Sequence, residues 1–206
     1  MRRCVIVGGA GIGNYDRIRQ YLRQDDYFVF CDAGLKHREP LGAEPDLVIG
    51  DFDSHPKPET DKEVIVLPHV KDDTDTRYAA DEALRRGFSD FLLLGVIGER
   101  FDHSLGNISI LQMLFDRKAK ALLLDDYSEM EIVGSERKTV AGAFSYFSLL
   151  NVSGTAKKIE IRNALYPLRD AEIRVDYQYG VSNEVLPGKT AEVKVGEGSA
   201  LLIRVF

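Results

Sequence analysis

Up to Leu124 the chain is punctuated by short apolar runs: Cys4-Val5-Ile6-Val7, Tyr27-Phe28-Val29-Phe30-Cys31, Leu47-Val48-Ile49-Gly50, Val64-Ile65-Val66-Leu67, Phe91-Leu92-Leu93-Leu94-Gly95 and Ala121-Leu122-Leu123-Leu124. Runs this short, without alternating polar residues, suit strands buried on both faces. Between several of them the apolar spacing becomes helical. Tyr15, Ile18 and Leu22 follow Asn14, a candidate N-cap, and Ala79, Ala80, Ala83 and Leu84 predict a helix from about Thr74 to Arg86, closed by Gly87. Leu105, Ile108, Leu111, Leu114 and Phe115 predict another from about His103 to Arg117. Strands alternating with helices imply an α/β fold with a mostly parallel sheet flanked by helices.

After Tyr127 there is no further helical stripe. Phe144 to Leu150, Lys158 to Arg162, Ala171 to Val175, Ala191 to Val195 and Ala200 to Val205 are β-prone, separated by Ser153-Gly154, Pro187-Gly188 and Gly196-Glu197-Gly198. That pattern predicts an antiparallel β-sandwich or jelly-roll. The expected division is residues 1–127 and residues 128–206.

A net charge of −6 and a pI near 5.3 argue against a nucleic-acid-binding surface. No apolar stretch approaches the roughly 20 residues that span a bilayer. Gly8 ends the first apolar run too early for a signal peptide. Cys4 and Cys31 are the only cysteines, too few for a disulfide framework, and read as reduced thiols of a cytoplasmic protein.

The segment Gly8-Gly9-Ala10-Gly11-Ile12-Gly13 is glycine-rich without matching a known phosphate loop. Asn14-Tyr15 stands where a Walker A sequence needs Lys-Ser/Thr, and the G-x-G-x-x-G register does not close. A tight strand-to-helix turn and a direct phosphate contact both remain open for it.

The acids are informative by position. Asp32, Asp51, Asp53, Asp72, Asp73, Asp75 and Asp102 all fall just after the C-terminal ends of expected strands. In an open parallel sheet those ends share the edge where ligands bind. Lys71 and Arg100 are the interspersed cations. Asp73 and Asp75 also stand where a helix begins, and could simply favour its N-terminus. His103 could likewise only open its helix, Asp46 reads as a turn residue, and Asp125-Asp126 reads as a solvated loop. Asp51-x-Asp53 offers two hard oxygen ligands at a glycine turn, the donor type for magnesium, and an acidic cleft needs such an ion to take a polyphosphate. Three classes of function fit: metal-assisted transfer from a nucleotide, a phosphatase with Asp51 as nucleophile and Asp53 as acid/base, or a non-catalytic nucleotide or vitamin sensor.

Four motifs taken in order, Asp32-Ala33-Gly34, Gly50-Asp51-Phe52-Asp53-Ser54, Lys71-Asp72-Asp73-Thr74-Asp75-Thr76 and Gly98-Glu99-Arg100-Phe101-Asp102-His103, resemble the bacterial thiamine pyrophosphokinases. Tyr166-Pro167-Leu168 and Gly180-Val181-Ser182-Asn183-Glu184 resemble that family's vitamin-binding β-domain, so the likeness spans nearly the whole chain. The resemblance implies a cytoplasmic homodimer that transfers pyrophosphate from ATP to the thiamine hydroxyl, leaving AMP, with thiamine between subunits. It implies magnesium on Asp51, Asp53 and Asp75, with Asp72, Arg100 and Asp102 completing the catalytic set. Asp32, Gly34, Lys71, Thr74, Arg100 and His103 would serve the nucleotide, and Tyr166, Ser182 and Asn183 the vitamin. The chain departs from the family in having Cys31-Asp32-Ala33-Gly34 for Ala-Asp-Gly-Gly and Asn163-Ala164-Leu165 for Gly-x-Lys. It has no Trp, so a Tyr must provide any stacking.

Overall fold

In the computed structural model, residues 2–52, 60–68 and 73–206 are described. The chain forms two compact units, Met1–Asp126 and Tyr127–Phe206.

The first unit runs β1 (Cys4–Val7), α1 (Tyr15–Arg19), β2 (Tyr27–Cys31), a 3-10 helix (Asp32–His37), α2 (Arg38–Leu41), β3 (Leu47–Gly50), β4 (Glu63–Val66), α3 (Asp75–Arg85), β5 (Asp90–Leu94), α4 (Phe101–Asp116) and β6 (Lys120–Leu124). The strands pair in parallel in the order β4-β3-β2-β1-β5-β6. Every residue of β1 and β3 is buried, as their unbroken apolar sequences require. The strand order reverses between β1 and β5, whose ends are in register at Val7 and Leu94. In open parallel sheets the ligand crevice lies at the carboxyl ends of the strands beside such a reversal.

The helices differ in detail from their sequence patterns. Asn14 does cap α1, its side-chain oxygen accepting from Arg17 N–H at 3.0 Å, but the helix ends before Leu22. In α4 the buried stripe is Ser104, Asn107, Ile110, Leu111 and Leu114, while Leu105 is 58% exposed. Two polar residues replace the expected leucine on the inner face because the loop after β5 presents polar backbone groups there, and these need partners. Asn107 donates to the carbonyl of Val96 at 2.7 Å. The Ser104 hydroxyl accepts from Gly98 N–H at 3.1 Å.

The second unit contains β7 (Ser128–Val133), β8 (Lys138–Ala141), β9 (Tyr146–Leu150), β10 (Ala156–Arg162), β11 (Leu168–Ala171), β12 (Thr190–Gly198) and β13 (Ala200–Val205). Here β7-β13-β9 and β11-β10-β12-β8 are antiparallel sets, with Val140, Phe147, Leu149, Ile159, Ile161, Val193, Val195 and Leu202 in the core. The expected strand Ala171–Val175 is displaced to Leu168–Ala171, after which Arg174 bridges to Tyr177 in a turn. Strands β7 and β8 had no counterpart in the sequence reading. Glu129 and Glu131 make β7 look polar, yet both are paired to the 5%-exposed Arg204, the first at 2.8 Å. Pairing offsets the cost of removing these charges from water.

Candidate active site

The crevice between β1 and β5 holds a cavity of about 590 Å³. Its lining includes Gly8, Gly9 and Ala10 after β1, Asp32 and Ala33 after β2, Asp51 after β3, Thr74, Asp75 and Thr76 at the start of α3, and Gly95, Arg100, His103, Ser104 and Asn107 after β5. Asp32, Asp51, Thr74, Asp75, Arg100 and His103 are thus brought together. Gly34 and Asp102 are not part of that lining. Asp53, Lys71 and Asp72 lie outside the described residues.

Local backbone explains how the acids reach this edge. Asp32 adopts φ +29° where β2 becomes the 3-10 helix, an uncommon conformation for a residue with a side chain. Its Cβ lies over Gly50, where a methyl group would stand only 2.8 Å away, so the neighbouring strand must carry glycine at that point. Asp75 is the first residue of α3, and the Thr74 hydroxyl before it accepts from Arg77 N–H at 3.2 Å. Thr74 therefore caps the helix whatever else it does. Gly34 serves packing, since a Cβ there would come 2.2 Å from the carbonyl oxygen of Val7.

Arg100 and Asp102 hold one another, with Nη2 2.6 Å from Oδ2 and Nε 3.3 Å from Oδ1. The Arg100 guanidinium holds the Asp102 carboxyl below the usual carboxylate range, although both side chains are exposed. Cys31 lies in the cavity wall beside the acids. Burial first, and then the charge of Asp75, push its thiol upward, so it stays protonated and inert.

The glycine-rich segment is tied down along its length. Gly8 N–H donates to Leu94 O at 2.8 Å, and Ala10 N–H donates to Gly95 O at 2.7 Å. Gly95, at φ +59°, could not carry a side chain, because its Cβ would meet Gly8 O at 2.6 Å. Asp126 corrects the expectation of a solvated loop: its carboxylate accepts from Gly13 N–H at 2.7 Å and Asn14 N–H at 2.8 Å. Those two amides are engaged by the protein itself. Asp46, read as a turn residue, also works structurally by accepting from Phe28 N–H at 2.9 Å. Sequence reading missed His37, Ser104, Asn107 and Asp126 as supports of this site. Only Ser104 and Asn107 left a signal, as polar residues three apart on an otherwise apolar helix face.

In the second unit Tyr166 is 62% exposed and Ser182 is exposed at φ +55°. Asn183 differs from the expectation of a ligand-facing amide. It is buried, with Oδ1 accepting from Tyr166 N–H at 3.0 Å and from Glu184 N–H at 2.9 Å, while Nδ2 donates to Tyr166 O at 2.8 Å. Its carboxamide clasps the backbone of Tyr166 on both sides.

Two family models match in sequence order. Residues 18–123 match "Thiamin pyrophosphokinase, catalytic domain", and residues 133–199 match "Thiamin pyrophosphokinase, vitamin B1 binding domain". The thiamine pyrophosphokinase of Bacillus subtilis is 26% identical over 218 residues, covering 99% of each chain. A solved structure of the Geobacillus thermodenitrificans thiamin pyrophosphokinase is similar at TM-score 0.82 and 26% identity, covering 99% of this chain and 97% of that one. The solved Bacillus subtilis structure is similar at TM-score 0.85 and 22% identity, covering 99% of each chain, which speaks to fold alone. With both models matched across the two units, the chain belongs to the thiamin pyrophosphokinase family.

Proposed function

We propose that the protein is a thiamine pyrophosphokinase, transferring the pyrophosphoryl group of ATP to the hydroxyl of thiamine to give thiamine diphosphate and AMP. The observation that carries this reading within the molecule is the convergence of Asp32, Asp51 and Asp75 with Arg100 on one cavity at the point where the strand order reverses. The cavity is large enough for a nucleotide, since small-molecule sites run from about 300 to 1,000 Å³.

Among the described residues, no three His, Cys, Asp or Glu side chains form a metal-binding group by themselves. Asp51 and Asp75 nonetheless line the same cavity with hard oxygen donors. One or two carboxylates completed by water and substrate phosphate is the set magnesium takes. The residues present therefore fit magnesium held by Asp51 and Asp75; Asp53, which the motif adds as a ligand, lies outside the described residues. When bound, the ion supplies neutralising charge at the phosphate oxygens.

The chain's own groups account for the rest of the work. Transfer to a hydroxyl depends on positioning and on stabilising charge that grows on non-bridging oxygens. Arg100 sits at the cavity wall to meet that charge, and His103 offers a second polar group on the same helical turn. We assign acceptance of the hydroxyl proton to a carboxylate. Asp102 and Asp72 are the candidates, and Asp102 becomes the better base once Arg100 turns from it toward phosphate, because the guanidinium now holds its carboxyl low. Tyr166 and Ser182 are assigned to the vitamin, with Tyr166 providing the aromatic face.

Among the described residues, no helix is long and apolar enough to cross a membrane. A cytoplasmic homodimer with the vitamin bound between subunits fits this reading. The test is incubation of the purified protein with ATP, magnesium and thiamine. AMP and thiamine diphosphate should form in equal amounts. Release of inorganic phosphate would indicate a phosphatase, and binding without turnover a sensor.

A further inference from the structure

His37 is 1% exposed and lies at the end of the 3-10 helix that begins with Asp32. Both its ring nitrogens are engaged. Nε2 is 2.8 Å from the carbonyl oxygen of Ala10, and Nδ1 is 2.8 Å from the hydroxyl of Tyr15. A carbonyl oxygen only accepts, so Nε2 must carry the proton. Nδ1 then either accepts from the Tyr15 O–H, as in a neutral imidazole, or donates to that oxygen, as in a charged one. Burial favours the neutral form, pulling the imidazole below its ordinary pKa.

The location gives this bond its importance. Ala10 is part of the cavity wall, in a segment whose glycines give the backbone freedom that only its hydrogen bonds restrain. Gly9 packs against Ala33, the residue after Asp32, so closely that a Cβ on Gly9 would stand 2.7 Å from the methyl of Ala33. One short helical segment therefore carries a cavity acid at its start and, at its end, the ring that is hydrogen-bonded to the adjoining Gly8–Ala10 wall. A wall fixed before the ligand arrives costs less ordering at binding.

We propose that His37, in its Nε2–H form and oriented by Tyr15, is a positioning residue for the nucleotide: it holds the Gly8–Ala10 wall in its binding geometry without touching the substrate. The proposal rests on the thiamine pyrophosphokinase reading for the identity of the nucleotide.

The test compares His37→Ala, His37→Gln and Tyr15→Phe in the full-length protein. Losing the bond in His37→Ala should raise KM for ATP about tenfold, the equivalent of about 1.4 kcal/mol, and leave KM for thiamine within about twofold. Gln can place an amide N–H where Nε2 stands, so His37→Gln should restore KM for ATP to within about threefold of the parent. Tyr15→Phe, which removes only the hydroxyl, should raise KM for ATP about threefold without moving KM for thiamine. Should His37→Ala fail to fold, Tyr15→Phe and His37→Gln carry the comparison. An unchanged KM for ATP in His37→Ala and Tyr15→Phe, or equal rises for ATP and thiamine, would overturn the proposal. So would an Nδ1–H or doubly protonated His37 in ¹⁵N spectra of the unliganded protein at pH 7.5. Failure of the parent enzyme to make AMP would instead refute the function, leaving the ring's protonation state as an independent readout.

Discussion

The carboxylate of Asp126 accepts a hydrogen bond from Gly13 N–H at 2.7 Å, across 113 positions of sequence. The same carboxylate takes the neighbouring amide of Asn14, and the Asp126 carbonyl oxygen accepts from Arg17 at 2.7 Å. The last residue of the first unit thus anchors the far end of the glycine-rich segment. Asp126→Ala should lower unfolding stability by about 1–3 kcal/mol, because two amides lose a charged acceptor. Asp126→Asn should cost less, since its amide oxygen can still accept. Urea denaturation gives both values, and an Ala variant as stable as the parent would mean that water replaces the bonds without loss.

Asp51 and Asp75 are expected to act in the chemistry, not in folding. Asp51→Asn and Asp75→Asn should each lower the rate of AMP formation by about a hundredfold or more, with melting temperatures near that of the parent. The magnesium concentration for half-maximal rate should also rise. Full activity in either variant would exclude that residue from the metal assignment.

Glu82, on α3, is buried and hydrogen-bonded to Arg85 at 2.7 Å and to Arg86 at 2.7 Å. These arginines, Arg85 first, hold its carboxyl at about 2. A lowered carboxyl contributes its full stability above the unfolded-state pKa and loses it as pH falls toward the folded value. Glu82→Gln should therefore destabilise by about 1–3 kcal/mol at pH 7. That difference should shrink progressively as pH falls from about 5 toward 2. Chemical denaturation across this range checks it. A penalty independent of pH would mean that shape, not charge, accounts for the loss.

Asn183 is expected to affect the vitamin through Tyr166. Asn183→Ala should raise KM for thiamine about tenfold, since the clasp on the Tyr166 backbone is lost, while KM for ATP stays within about twofold. Tyr166→Ala should give a similar change, and the double variant should be little worse than either single one. Additive effects of the two substitutions would separate Asn183 from Tyr166 and return it to direct contact with the vitamin.

The two thiols should be silent in the native protein. Both are buried, and burial pushes Cys4 to about 12 and Cys31 upward as well. Neither should react with a thiol reagent at pH 8 until denaturant is added, when both should label. Rapid labelling of the folded protein would contradict the packing at β1 and β2.

Much of the architecture was legible along the chain because its signals are local. Unbroken apolar runs such as Phe91–Leu94 demand burial on both faces wherever they occur, and Asp32 and Asp51 follow such runs directly, while Asp75 opens the helix after β4. Their meeting at one edge follows from parallel pairing. Reading failed where a polar residue's partner decides its meaning. Glu129 and Glu131 hid β7, since nothing nearby in sequence announces Arg204 on β13. Leu105 looked like core and is exposed, because helical spacing identifies a stripe but not what lies across from it.

The sequence by itself determined the class of fold, the strand ends that carry acids and, through its ordered motifs, the family. Tertiary structure alone decided that the sheet reverses between β1 and β5, and hence that residues after both strands, among them Ala10 and Gly98, meet at one cavity. It also decided that His37, Asp126 and Asn183 spend their hydrogen bonds on backbone and on Tyr15. The physical reason is reach: periodicity and turn chemistry act over a few residues, whereas a buried polar group takes its partner from whatever strand order places beside it.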